Sequence, residues 1–129
     1  MNIDWDTNTI KVMLTTSSYT PNQDTHEDKA DVTNEVSGTG YTAGGATLGS
    51  KTATTSANVL TMDAADTTWS SSTITARRAV IYDDSGGTDA SKALILWVDF
   101  GTDESSSSGD FTIAWNASGI ATITAADAP

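Results

Sequence analysis

The sequence predicts an all-β chain, a single domain of antiparallel strands over residues 1–129. Three observations point there. Residues 73–82, 94–100 and 111–124 are rich in β-branched and aromatic side chains. Between them stand Asp83-Asp84-Ser85-Gly86-Gly87 and Ser105-Ser106-Ser107-Ser108-Gly109, which carry turn-forming residues. Leu is scarce and Thr, Ser, Ala, Gly and Asp dominate, a composition that suits short strands with polar outer faces better than helices.

Taken in order, the first element is residues 9–16. Ile10, Val12 and Leu14 fall on one side and Lys11, Met13 and Thr15 on the other, which predicts a half-buried strand. The pattern then stops. Pro21-Asn22 opens a turn, and residues 24–34 are polar apart from Ala30 and Val32, so a long polar surface excursion with one helical turn is expected, within a loop region of residues 17–45. Gly38, Gly40, Gly44 and Gly45 follow, in a loop for which Tyr41 is the natural anchor. Residues 46–55 and 58–63 read as two weak strands joined through Ser56-Ala57, and Asp66-Thr67-Thr68-Trp69 leads into the stronger ones.

Leu94-Ile95-Leu96-Trp97-Val98 is apolar at both parities, so this strand is central or one of its faces meets a partner. Phe111, Ile113 and Trp115 alternate with Thr112 and Ala114, and Asn116-Ala117-Ser118-Gly119 turns the chain into residues 120–124, which predicts a closing hairpin. The architecture expected from these pieces is a two-layer sandwich, jelly-roll or immunoglobulin-like, of about seven or eight strands.

Charge and composition narrow the function. The net charge of −11 repels phosphate backbones, and six Lys and Arg without a basic cluster give no grip on anionic lipid. Neither nucleic acid nor membrane is an expected partner. No Cys is available for disulfides or thiolate metal sites. The start Met1-Asn2-Ile3-Asp4-Trp5-Asp6 carries acids where a secretion signal needs basic and then apolar residues, so synthesis in the cytoplasm is expected.

Motifs with chemical potential fail by context. Gly38-Thr39-Gly40-Tyr41-Thr42-Ala43 has the letters of a dinucleotide turn without the flanking buried strand and helix that the pyrophosphate requires. Asp24, His26, Glu27, Asp28 and Asp31 mix imidazole with carboxylates, yet no second His or Cys completes a metal shell. Asp83-Asp84-Ser85-Gly86-Gly87-Thr88-Asp89 lacks the alternating ligands and distal Glu of a calcium loop. A single His with no nucleophile elbow argues against a hydrolase. The expectation is no enzyme, no catalytic residue, no cofactor and no metal.

Contact residues are the remaining candidates. Trp97 and Trp115 lie in strong strand patterns and are expected in the core, whereas Trp5 and Trp69 have polar neighbours and are candidates for partner or glycan contact. Arg77 and Arg78 are successive and should point to opposite faces, one paired and one solvent-exposed, with an interface anchor as the alternative. Pro21, His26 and Tyr41, in the long loop region, complete the candidate partner-binding set.

Ile3-Asp4-Trp5-Asp6-Thr7-Asn8-Thr9-Ile10-Lys11-Val12, Ser18-Tyr19-Thr20-Pro21-Asn22-Gln23-Asp24-Thr25-His26 and Asn34-Glu35-Val36-Ser37-Gly38-Thr39-Gly40-Tyr41-Thr42-Ala43-Gly44-Gly45 resemble a group of small tailed-bacteriophage virion proteins. Ser72-Thr73-Ile74-Thr75-Ala76-Arg77 and Val98-Asp99-Phe100-Gly101 extend the likeness over nearly the full length. The resemblance implies a structural part of the particle and brings no active-site residues. Small, acidic, cysteine-free β-domains are similar to capsid decoration or cement proteins. This reading implies the virion surface as location, with the major capsid protein and further copies of the chain as partners. Alternatives are a tail, head-completion or fibre component, and a carbohydrate-binding module at the host surface.

Overall fold

A computed structural model describes residues 4–124, so Met1-Asn2-Ile3 of the acidic start lies outside the described residues. Among the described residues nine strands form in chain order: β1 Ile10–Thr15, β2 Ala46–Thr47, β3 Thr52–Ser56, β4 Val59–Asp63, β5 Thr67–Ser72, β6 Thr75–Asp83, β7 Leu94–Ser105, β8 Gly109–Ile113 and β9 Ala121–Thr124. They make a four-stranded sheet in the order β2-β1-β6-β7, a three-stranded sheet β3-β4-β9 and a β5-β8 pair. Every pairing is antiparallel. The all-β sandwich expected from the sequence is the observed fold class.

The alternation in β1 explains the main core. Ile10, Val12 and Leu14 join Ala79 and Ile81 of β6, and the cluster is completed from the other sheets and loops by Trp5, Leu48, Trp69 and Phe111. The opposite face of β1 is not solvated. Met13, Val80 and Tyr82 form a second cluster with Tyr19, against which Val32 and Leu94 pack. The first strand is therefore buried on both faces rather than half-buried, because the excursion after it folds back and covers the sheet.

Local chemistry holds that cover down. The Arg78 guanidinium donates from Nη1 to the Tyr19 carbonyl at 2.6 Å, and Asp28 bridges Ala93. The helical turn is a single 3₁₀ turn, Lys29–Asp31. The glycine-rich loop returns against β1. At Gly45, with φ of +83°, a Cβ would collide with the Val12 carbonyl oxygen, so only glycine permits this approach.

Two turns depart from the sequence reading. The β3–β4 hairpin turns at Ala57-Asn58, one residue later than expected, where both residues have positive φ as a type I′ turn demands. The closing turn also forms, with the Gly119 amide donating to the Asn116 carbonyl at 2.8 Å, but it joins no hairpin. Strand β8 pairs with β5 through Trp69↔Phe111, and β9 pairs with β4 through Leu60↔Ile123. A turn decides only where the chain reverses; each strand then joins whichever neighbour offers a matching inner face.

Where β5 meets β8 the register shifts between Trp69 and Ser72, and Ser71 has φ of +51°. The fully buried Ser72 hydroxyl fills the gap. It approaches the Trp69 and Gly109 carbonyls at 3.0 Å each and the Ser106 hydroxyl at 2.7 Å, tying the end of β5 to the start of β8 and to the β7–β8 turn.

Candidate interaction surface

Strand β7 is the outer strand of the four-stranded sheet. It is not central. Among the described residues it pairs with β6 on one side only, and while Leu94, Ile95 and Leu96 pack against the core clusters, Trp97 at 45% and Val98 at 37% relative exposure are the exposed large hydrophobics. Successive side chains point to opposite faces, so Trp97 and Val98 present apolar surface on both sides of the same open edge.

Trp97 lines a cleft of about 490 Å³ between β7 and the excursion, together with Pro21, Asn22, Gln23 and His26. His26 and Tyr19 stack with ring centroids 5.7 Å apart, and the Tyr19 hydroxyl lies 3.0 Å from His26 Nδ1. Burial, reinforced by the charge of Asp31 and opposed by Arg78, pushes the Tyr19 phenol above its ordinary pKa and keeps it neutral. Pro21 and His26, candidates in the excursion, thus lie beside Trp97 in this cleft.

Trp5 and Trp69 are corrections. They are 5% and 6% exposed, which places them in the core instead of on a contact surface. Trp5 donates its indole N–H to the Asp63 carbonyl at 3.2 Å, and Trp69 packs edge-on to Phe111 at 6.0 Å. Polar sequence neighbours misled because each ring reaches inward from a short element while its neighbours face solvent. Conversely, Trp97 is exposed where a core position was expected. The signal was present in the sequence as an apolar run at both parities, and only its position in the sheet was hidden.

Tyr41 anchors its loop. Its hydroxyl donates to Glu35 Oε2 at 2.6 Å and accepts the Leu14 amide at 3.0 Å, and the same carboxylate oxygen accepts the Gly44 amide at 2.7 Å. Burial first, and the Glu35 hydrogen bond second, push the phenol far above its ordinary value. Its role is internal.

Arg77 and Arg78 converge instead of separating. Arg77 Nε lies 2.9 Å and Arg78 Nε 3.4 Å from the two oxygens of Asp99. The β6–β7 ladder shifts register between Ala76 and Arg78, so Arg77 occupies an irregular step at which strict alternation fails. The Gly101 amide and then the Arg77 hydrogen bond hold the Asp99 carboxyl below its ordinary pKa. Neither arginine is the free solvent-exposed member that the sequence reading assigns.

The acidic clusters are engaged locally. Asp84 binds Lys92 at 2.9 Å and Lys11 at 3.2 Å, and Asp89 binds Lys29 at 3.1 Å. Asp83 accepts from Asn8 Nδ2 at 2.6 Å and from the Ser85 amide at 2.9 Å. In the excursion, Asp31 Oδ2 accepts the Glu27 amide at 2.8 Å, and Asp28 Oδ1 accepts the Ala30 amide at 3.0 Å. Among the described residues no group of three or more His, Cys, Asp or Glu is placed to hold a metal ion.

No family model, curated protein or solved structure matches this chain.

Proposed function

We propose that this chain is a structural protein of a tailed-phage virion, a capsid decoration protein that binds the outer surface of the major capsid lattice and stabilises it. The observation that carries the reading is the open edge of β7, where Trp97 and Val98 stand exposed on opposite faces. Apolar area left on an unpaired strand edge is adhesive, and its removal from water against a partner contributes about 25 cal/mol per Å². The arrangement offers binding in place of chemistry: the single imidazole stacks on Tyr19, and the main carboxylate clusters are committed to ion pairs and backbone caps.

The mechanism is linkage. A protein that binds the mature lattice better than its precursor stabilises the mature form by its own binding free energy, repeated at every site. The net charge of −11 keeps free copies apart in the cytoplasm until a specific surface captures them. Under this reading the partners are the major capsid protein and neighbouring copies on the particle, and the location is the capsid exterior.

The test is rebinding to particles stripped of the protein. The wild-type chain should bind saturably at on the order of hundreds of copies per particle, as a repeating lattice contact requires. Trp97→Ser should lose most of that occupancy. A copy number matching the low-order symmetry of a tail ring would replace this reading with the tail or head-completion one.

One observation favours a second reading. Trp97 lines the same cleft as Asn22 and Gln23, and an aromatic ring in a cleft with amides is the chemistry of sugar recognition. Quenching of Trp97 fluorescence by a host polysaccharide, with no particle binding, would favour a carbohydrate-binding module.

A further inference from the structure

Strands β7 and β8 follow one another in the chain but belong to different sheets, and among the described residues each has one partner strand, β6 and β5 respectively. Between their free edges runs an open groove of about 590 Å³. Its walls are apolar: Val98 and Phe100 from β7 face Phe111, Ile113, Trp115 and Ile120 on the opposite side. Its rim is acidic, with Glu104 and Asp110 at the end near the β7–β8 turn and no Lys or Arg in the lining. The ion-paired cations, Lys11, Lys29, Arg77, Arg78 and Lys92, are held by Asp84, Asp89, Asp99 and Asp103, and Glu104 and Asp110 have no cation among the described residues. The Trp115 indole N–H is buried at this site with no hydrogen-bond acceptor among the described residues.

We infer that this groove captures an extended segment of a partner protein that alternates apolar with basic residues, adding a strand at the open sandwich edge. Main-chain groups of the segment would pair with a free strand edge, apolar side chains would enter the groove, and Lys or Arg would meet Glu104 and Asp110. A small shift of Trp115 toward a segment carbonyl would give its indole N–H the acceptor it lacks. A second copy of this chain is a poor occupant, because a polypeptide of net charge −11 offers few basic residues to an acidic rim. The inference rests on the lattice-adhesion reading and deepens it by naming the chemistry of the segment bound.

The probe is a synthetic peptide alternating valine with lysine and threonine, capped at both ends, titrated into the full chain and followed by amide and indole NMR. Its control has glutamate in place of lysine. The lysine peptide should shift the amides of β8 and the Trp115 indole saturably, with affinity falling as salt rises, and the glutamate peptide should not. Asp110→Lys, at an exposed position, should weaken the lysine peptide by about tenfold. Ala114→Trp, exposed just past β8, should abolish binding by filling the groove without touching the core. Equal response to both peptides, shifts confined to other surfaces, or dimerisation blocked by Ala114→Trp would overturn the inference. Particle rebinding separates the two proposals. If Ala114→Trp binds particles like wild type while Trp97→Ser does not, the groove assignment fails and lattice adhesion stands. Peptide capture by a chain that never binds particles would instead remove lattice adhesion and leave the groove as a peptide site.

Discussion

Strands β6 and β7 lie side by side in one sheet and carry similar apolar runs, yet only β6 is enclosed. Ala79, Val80, Ile81 and Tyr82 are all buried, with Ala79 and Ile81 in the sandwich core and Val80 and Tyr82 under the excursion. Their ladder partners on β7, Val98, Trp97, Leu96 and Leu94, are half-buried or exposed. The contrast teaches that an apolar run reports demand for cover, and the sheet position decides whether the protein itself or another molecule supplies it.

The largest expected effect tests the enclosed strand. Ile81→Ala should cost about 2–5 kcal/mol, as removal of a fully buried side chain does, when measured by urea unfolding. Leu96→Ala, its ladder partner on β7, should cost clearly less, and equal losses would break the comparison.

Next comes Tyr82, whose hydroxyl donates to the Gly44 carbonyl at 2.6 Å. Tyr82→Phe should cost about 1–3 kcal/mol by leaving that carbonyl unpaired. Burial, and then the charges of Asp84, Glu35 and Asp89, push this phenol well above its ordinary 10.0. Because the folded pKa is the raised one, stability is intact below pH 10.0 and falls as pH rises beyond it, where the unfolded phenol ionises first. Unfolding curves in alkali should be less steep in pH for the Phe variant.

A smaller effect belongs to Asp84. Burial raises its pKa, but the Lys92 and Lys11 hydrogen bonds and charges outweigh it and hold the carboxyl below 3.8. Its contribution is present above pH 3.8 and is lost as pH falls through the lower folded value. Asp84→Asn should flatten the acid limb of the stability profile in thermal melts.

The smallest effect on stability is expected at the exposed edge. Trp97→Ser should change unfolding free energy by under about 1 kcal/mol, because much of its ring is in water already. A larger loss would make Trp97 a structural residue and remove the support it lends to adhesion.

Particular residues show how far the sequence could be read. The strand pattern of Ile10, Val12 and Leu14, the Tyr41 anchor and the single turn in the excursion were all legible, because each follows from local alternation or local polarity. The burial of Met13 was not, since its cover includes Tyr19 and Val32, reached only after the chain turns back. Trp5 and Trp69 misled for the same reason in reverse: their neighbours are polar, and their own cavities are assembled from residues far along the chain. The convergence of Arg77 and Arg78 on Asp99 depends on a register shift that composition does not encode.

Composition and alternation by themselves determined that this chain is all-β, acidic and dependent on packing without disulfides, because hydrophobic period and residue chemistry act within a few positions. Tertiary structure alone decided which strands share a sheet, which tryptophan remains in water and where the apolar groove opens. Those outcomes turn on pairing between distant segments, and a free strand edge exists only relative to the neighbours a sheet has or lacks.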